Sequence, residues 1–443
     1  MRIDDELVRR TTAAVARAKE IASGDDPPPP LVDDPRCNGC SLVGICLPDE
    51  TNLLRRLEGA EIATPPPAPA APASDPLDLS EGDPWGLASE EQVAAEREAA
   101  VLRRLHPARD DAVPLYVQDQ GARVSLAGEE LVVRSKAGAT PARLVHTSQV
   151  ALLGNAQITT QAIRALLERG IPLCFFSYGG WFLGRASGLD PKNVDLRIAQ
   201  HRAAADDELC LRMARGFVVS KIKNCRTMLR RNHASPDAVA LGELDQLARK
   251  AAEVSSPESL LGLEGTAARV YFGQFTGMLK GEAARLGTFN LEGRNRRPPR
   301  DPVDALLSYA YALLTKDFAV TLATVGLDPM LGFYHQRRFG RPALALDLME
   351  ELRPLVADSV VIGAINNAVV TATDFVTTAA AVALAPPARK RMLLAYERRM
   401  DHLVIHPVFG YRISYRRVLE VQARLLGRVL TGELTEYPAF RTR

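Results

Sequence analysis

The 443 residues predict an α+β chain. A small β-rich domain is expected over 114–190, and an all-helical domain over 191–443. A short cysteine-bearing tail (1–50) and a linker (51–113) precede them. Three observations predict this. From Pro114, short β-branched runs are broken by glycine, as in PLYVQDQGARVSLAGEELVVRS. From about Asn193, apolar residues recur at helical spacing over segments far longer than a strand, such as DPVDALLSYAYALLTKDFAVTLATVG. Residues 64–76, TPPPAPAAPASDP, hold too much proline and alanine to build a core and read as a semi-rigid extended linker.

Taken in order, residues 4–23 carry Leu7, Ala14, Val15, Ala18 and Ile21 at helical spacing, and Gly24 with Pro27–Pro30 ends that helix. Residues 77–113 are polar, with one helix signal from Ser89 to Leu105. The β-rich domain opens with hairpins punctuated by Gly121 and Gly128. LVHTSQVALLG, ITTQAIRALLERG, IPLCFFS and GWFLGRA then read as strand, helix, strand and strand.

Composition excludes several classes. A chain 47% hydrophobic and 24% charged is neither wholly disordered nor fibrous. No uninterrupted apolar run reaches the roughly 18 residues that a membrane span needs. The longest candidate, Ala364–Ala385, is broken by Asn366, Asn367 and Asp374. The opening MRIDDE has no apolar signal region, so a cytoplasmic protein without membrane contact is expected. Lys plus Arg number 55 and Asp plus Glu 53, so any basic surface must arise by segregation of charge.

Cys37, Cys40 and Cys46 form a C-x2-C-x5-C cluster. In a chain without a signal peptide this reads as a metal site rather than a disulfide site. Zinc and iron–sulfur clusters both want four ligands, and no fourth cysteine lies nearby. Three unrelated thiols are the bland alternative. Cys174 in an apolar strand, and Cys210 and Cys225 in helices, read as small buried hydrophobes.

The segment 326–354, GLDPMLGFYHQRRFGRPALALDLMEELRP, is the most informative. His335 precedes a helix beginning near Ala343, on which Asp347 and Glu350 share one face at i and i+3, with Arg353 one step on. A histidine with carboxylates suits Mn²⁺ or Mg²⁺. A solvated acidic face is the alternative, but the apolar neighbours of this helix imply that it is packed, and a packed carboxylate needs a partner. Glu264 lies between Leu263 and the small-residue run 265–268, with Tyr271 on the same face. Alone it reads as a helix-start carboxylate.

Four basic groups suggest a phosphate track. They are Arg294, Arg296, Arg297 and Arg300; Lys221, Lys223, Arg226, Arg230 and Arg231; Arg389, Lys390, Arg391, Arg398 and Arg399, with Tyr396 interleaved; and Arg412, Arg416 and Arg417.

Three of these segments carry a resemblance. LLGLEGTAARVYF, GRNRRPPRDPVDALLSYAYALL and GLDPMLGFYHQRRFGRPALALDLMEELRP resemble the hallmark stretches of the CRISPR adaptation integrase, the first CRISPR-associated protein family, over roughly 114–435. The resemblance implies a β-sandwich-like domain that dimerises and a helical catalytic domain. It implies a divalent metal held by Glu264, His335 and Glu350, with Asp347 matching a nearby accessory acid. The family's last ligand is often Asp, so Glu350 is a conservative departure. Its activity joins prespacer 3′-hydroxyl ends into the CRISPR repeat, with endonuclease capability. Its partners are DNA, held here by Lys223, Arg294, Arg296, Arg297 and Arg300, a second copy of the chain, and a small ferredoxin-like adaptation protein in a heterohexamer-type complex.

CNGCSLVGICLP resembles the cluster-binding end of a RecB-like CRISPR-associated exonuclease, which processes prespacers and selects the protospacer-adjacent motif. That family holds a [4Fe-4S] cluster whose fourth cysteine lies upstream of this tail, with its catalytic Asp and Glu-x-Lys segments. The chain therefore reads as the back end of an exonuclease–integrase fusion, with Cys37, Cys40 and Cys46 completing a cluster only with an upstream portion. Two other functions stay open: a nonspecific metal-dependent nuclease using water as nucleophile, and a noncatalytic DNA-binding scaffold.

Overall fold

A computed structural model describes residues 5–23, 30–32, 34, 36–37, 40, 42–59, 112–188, 193–281, 289, 291, 298–335, 339–378 and 381–442. The linker 64–76, the helix signal at 89–105, and Arg294, Arg296 and Arg297 lie outside these residues. The chain divides into two compact units, one of residues 1–64 with 103–108 and one of the remainder.

In the first unit, α1 (Asp5–Ser23), α2 (Val43–Cys46) and α3 (Pro48–Gly59) follow one another. Leu47 closes α2 in the left-handed region at φ 46°, fully buried, and Pro48 opens α3. Proline suits a first helical position because its missing N–H would lack a helical partner anyway.

The second unit begins with β1 (Val113–Val117), β2 (Arg123–Ala127), β3 (Glu130–Ser135), β4 (Gly138–Arg143), β5 (Thr147–Leu153), β6 (Gln157–Ile158), α4 (Thr160–Glu168), β7 (Leu173–Phe176) and β8 (Phe182–Ala186). One sheet runs β1-β5-β7-β8, with β1, β5 and β7 parallel and β8 antiparallel; the other runs β4-β3-β2-β6. Both give side chains to one core, including Val117, Val124, Leu131, Val150, Leu152 and Leu173, which Leu166 of α4 joins. The β-rich region with its strand–helix–strand–strand ending follows the alternation read from the sequence.

The helical region holds α5 (Val194–Ala203), α6 (Asp207–Asn232), α7 (Ala238–Glu253), α8 (Pro257–Gly273), α9 (Pro302–Val325), α10 (Ala343–Leu352), α11 (Ser359–Asn366), α12 (Pro386–Asp401) and α13 (Tyr415–Leu430). Their starts follow sequence chemistry. Asp206, Asp237, Ser256, Asp301 and Ser414 each accept a first-turn N–H. Gly326, at φ 106°, ends α9 in a conformation that side chains resist.

The expectation of an all-helical domain needs correction. Two hairpins interrupt it, β9 (Phe375–Thr377) with β10 (Val382–Leu384), and β11 (Leu403–Ile405) with β12 (Arg412–Ser414). Three-residue strands are too short to imprint a period of two. A π-helical turn, Pro354–Asp358, joins α10 to α11. Pro354 has no N–H to donate, and the Asp358 N–H reaches back five residues to the Arg353 carbonyl at 3.1 Å. Among the described residues no helix is long and apolar enough to cross a membrane.

Candidate active site

Residues distant in sequence meet where α6, α8 and α10 pack. Gly332 allows the loop before α10 to close down. A Cβ there would lie 2.6 Å from the Asp347 carboxylate and 2.8 Å from the Ala343 backbone. Closed, the loop donates three N–H groups to Asp347, from Phe333 at 2.6 Å, Tyr334 at 3.1 Å and His335 at 2.8 Å. The His335 ring adds a fourth contact, Nδ1 to Asp347 Oδ1 at 2.7 Å. With a carboxylate accepting there, Nδ1 is the donor, which leaves Nε2 as the ring nitrogen available to a cation. Nε2 lies 3.8 Å from Glu350 Oε1. Asp347 and Glu350 thus share a helix face as expected, but Asp347 is wholly buried and engaged with the loop, a positioning group for His335.

Glu264 stands in the middle of α8, which overturns its reading as a helix-start carboxylate. Tyr334 Oη donates to one of its oxygens and Lys221 of α6 to the other. Lys221 also reaches Glu350, at 2.7 Å, so one ammonium bridges both carboxylates. Arg353 donates to Glu350 at 3.1 Å and lies over the Tyr311 ring, 4.0 Å from its centroid. Behind them Asp358, on the π-helical turn, accepts from Tyr271 at 3.0 Å and from Tyr311 at 2.5 Å.

Burial by itself would raise the Glu264 and Glu350 carboxyls. Lys221, joined by Arg353 at Glu350, overcomes it and holds both below the usual carboxylate range. The same carboxylates raise Lys221 against its own burial. Burial and the facing carboxylates raise the Tyr334 hydroxyl well above the ordinary tyrosine range, so it stays a donor.

Among the described residues no three His, Cys, Asp or Glu groups are drawn to one point as a formed metal cluster. Lys221 stands between Glu264 and Glu350. The donor set nevertheless fits a hard divalent cation, with two carboxylates and an oriented imidazole. Charge points the same way. Among the described residues, four carboxylates, Glu264, Asp347, Glu350 and Asp358, lie here with two permanent cations, Lys221 and Arg353.

Lys221 had appeared only as one charge in a basic run, and Tyr334 carried no signal beyond its place beside His335. Of the expected DNA contacts, Lys223 and Arg300 are exposed. The third and fourth basic groups are corrected in part. Arg399 is fully buried and donates to the Leu355 carbonyl, and Tyr396 is buried on Asp317. Arg416 pairs with Glu397 and Asp401, and Arg417 with Glu420. Charge runs alone do not distinguish buried from solvated arginine.

In the first unit Cys37 is buried, Cys46 half-buried and Cys40 exposed, and the Cys40 N–H turns back to the Cys37 carbonyl at 3.2 Å. Cys174 is buried as expected, and burial pushes its thiol up to about 11. Cys225 is likewise buried, whereas Cys210 is only half-buried.

With this geometry in hand, residues 115–398 match the family model described as CRISPR associated protein Cas1. A CRISPR-associated exonuclease Cas4/endonuclease Cas1 fusion of Geobacter sulfurreducens is 46% identical over 99% of this chain and 73% of its own length. A like-named fusion of Rhodospirillum rubrum is 39% identical over all of this chain and 70% of its own. The Cas1 protein of Thermotoga maritima shares the fold at a TM-score of 0.62 and 21% identity, covering 74% of this chain and 99% of that one. A Cas6-RT-Cas1–Cas2 complex contains a chain matched at TM-score 0.64 and 25% identity, over 76% of this chain and 37% of that longer one. The fold and these relatives define a nuclease-type enzyme of CRISPR adaptation. The chain belongs to the Cas1 integrase/endonuclease family, among those related to Cas4–Cas1 fusions.

Proposed function

We propose that the chain joins prespacer 3′-hydroxyl ends into the CRISPR repeat by metal-dependent phosphoryl transfer, with endonuclease capability. The observation that carries the reading is the pair of carboxylates that share Lys221, half-buried Glu264 and buried Glu350, beside an imidazole that Asp347 orients. Glu264, His335 and Glu350 would hold Mn²⁺ or Mg²⁺. The cation, when bound, supplies Lewis-acid polarisation of the phosphate and makes the attacking hydroxyl easier to deprotonate. The chain's own residues do the rest. Asp347 keeps the proton on Nδ1 of His335, Tyr334 turns the Glu264 carboxylate, and Arg353 steadies Glu350. Lys223, Arg294, Arg296, Arg297 and Arg300 would hold the DNA backbone, an electrostatic role that follows from their charge.

The assignment extends to organisation. Residues 1–50 act as an exonuclease-type tail, 51–113 as a linker, 114–190 as the β-rich dimerisation domain and 191–443 as the integrase domain. Cys37, Cys40 and Cys46 would take part in a [4Fe-4S] cluster of a fused exonuclease that processes prespacers and selects the protospacer-adjacent motif, given a fourth thiolate. The partners are DNA, a second copy and a small ferredoxin-like adaptation protein, in the cytoplasm without membrane contact. That a Cas1–Cas2 complex is among the structural relatives supports the partner protein.

Joining of a labelled 3′-hydroxyl oligonucleotide into a repeat-bearing plasmid tests the reading. Joining in Mn²⁺ that stops in EDTA is expected. Cutting without joining would favour a nuclease acting with water, and neither product a scaffold.

A further inference from the structure

We propose that Lys221 is the resident counter-cation of the site: its ammonium holds Glu264 and Glu350 together until an entering divalent cation displaces it. The inference rests on the metal reading above and concerns a residue outside that donor set. Three observations carry it.

The first is position. The ammonium contacts both carboxylates, which lie 86 residues apart in sequence and come from two helices. Without a cation between them, two desolvated carboxylates would repel each other and take up protons.

The second is the contrast with Arg353, the other permanent cation here among the described residues. Arg353 is packed over the Tyr311 ring and fixed beside Glu350, with Asp358 and Tyr311 behind it. Its planar fork suits a fixed place, whereas lysine is a point charge on a flexible stem. Of the two, Lys221 is the group that can leave.

The third is space. A small cavity of ≈ 10 Å³, about one water's worth, borders Lys221 and Glu264. Ala267 and Ala268, just after Glu264 on α8, line it with little bulk. The cavity borders Arg353 as well, so it admits a small shift of either cation, and the flexible stem is what singles out Lys221.

Metal entry then becomes an exchange of one positive charge for two, and the ion pair weakens apparent metal affinity while stabilising the metal-free chain. Mn²⁺ titration calorimetry on wild type, Lys221→Met, Lys221→Arg and Glu264→Gln tests this, read beside thermal midpoints in EDTA. Glu264→Gln should lose binding. Lys221→Met should bind roughly tenfold or more tighter than wild type, melt below it in EDTA and recover in Mn²⁺. Lys221→Arg should bind no tighter than wild type. Equal or weaker affinity in Lys221→Met, with binding still lost in Glu264→Gln, overturns the role of Lys221 and leaves the metal site standing. Wild-type binding that survives Glu264→Gln overturns the metal reading, and this inference with it. If Lys221→Met does not fold, amine acetylation mapped by mass spectrometry reads the wild-type chain directly. A several-fold rise at Lys221 on adding Mn²⁺ supports displacement, and an unchanged yield overturns it.

Discussion

Among the described residues of the second unit, two lysine–carboxylate clusters differ in how their carboxylates are paired. At the seam of the β-rich and helical regions, Lys316 lies beside Asp317, which also accepts from Gln149 at 3.2 Å and Tyr396 at 2.6 Å. Tyr116 donates to Glu397 at 2.8 Å, and Arg416 reaches Glu397 at 2.7 Å. There each inward carboxylate has a cation of its own, Lys316 for Asp317 and Arg416 for Glu397, Arg416 also reaches the exposed Asp401, and tyrosines donate to Asp317 and Glu397. At the candidate site, Glu264 and Glu350 share Lys221, and a histidine faces Glu350 across 3.8 Å. Buried charge by itself therefore marks neither cluster as functional. A cluster whose inward carboxylates each have their own cation holds two layers together, whereas one whose carboxylates share a lysine can take on more positive charge.

The largest contrast should come from removing one anion from each cluster. Glu264→Gln or Glu350→Gln should lower strand joining by more than about 100-fold at only a small cost in thermal midpoint, because Lys221 keeps one carboxylate partner in either variant. Asp317→Ala should do the reverse. It strands Lys316 in the interior and should cost about 3–5 kcal/mol of stability, with joining per folded molecule retained. Denaturant melts set beside joining rates separate the two. Equal stability losses in both clusters would erase the distinction.

A smaller effect tests how the candidate site is held in shape. The C-terminal segment straps the backs of its helices. Asn224 donates to the carbonyls of Glu351, at 2.7 Å, and Phe440, at 2.9 Å, and accepts from the Thr442 N–H at 2.9 Å. Arg441 donates to Ser220 at 2.8 Å, and the Phe440 N–H to Glu351 at 2.6 Å. Ser220 and Asn224 flank Lys221 on α6, and Glu351 follows Glu350 on α10, so the strap ties together the two helices whose other faces form the site. Asn224→Ala should destabilise the chain by about 1–3 kcal/mol and weaken Mn²⁺ binding measured by calorimetry. A loss of stability with metal affinity intact would confine the strap to a structural role.

The parts of this site that were legible in the sequence are the local ones. Asp347 and Glu350 declare themselves by i,i+3 spacing on a helix too apolar to be solvated, and His335 by its place just before it. Glu264 was visible as an acid in a small-residue run, though its place along the helix was misread, because a lone carboxylate looks the same at a helix start and at mid-helix. Lys221 was hidden among surface-like basic residues. Its meaning depends on partners 43 and 129 positions away, and no local pattern encodes them. For the same reason Arg399 and Tyr396 passed for a DNA track until packing placed them in the core.

The last effect, spread over pH, concerns buried ionisable groups that face no opposite charge within bonding distance. Glu351 accepts from Tyr437, Gln422 and the Phe440 N–H, all neutral donors, and burial pushes its carboxyl up to about 7 from 4.5. His406 is stacked on Phe409 with ring centroids 4.4 Å apart, its Nε2 3.3 Å from Gln422, and burial lowers it from 6.5 to about 3. The signs are opposite. Between pH 4.5 and 7 the folded chain keeps a proton on Glu351 that the unfolded chain releases, so this group's contribution falls as pH rises. Between pH 3 and 6.5 the unfolded chain protonates His406 and the folded chain does not, so this contribution rises with pH. The two slopes oppose each other from pH 4.5 to 6.5, and wild-type stability should change little across that window. His406→Phe removes one slope and leaves the other. Denaturant melts of that variant should therefore show stability falling by up to about 3 kcal/mol from pH 4.5 to pH 7, where wild type is nearly level. A variant as level as wild type would mean that His406 already titrates normally in the folded chain. The paired groups give the control: Asp317→Ala should shift stability without altering this slope, since its carboxyl is held below 3.8 by Lys316 against its own burial.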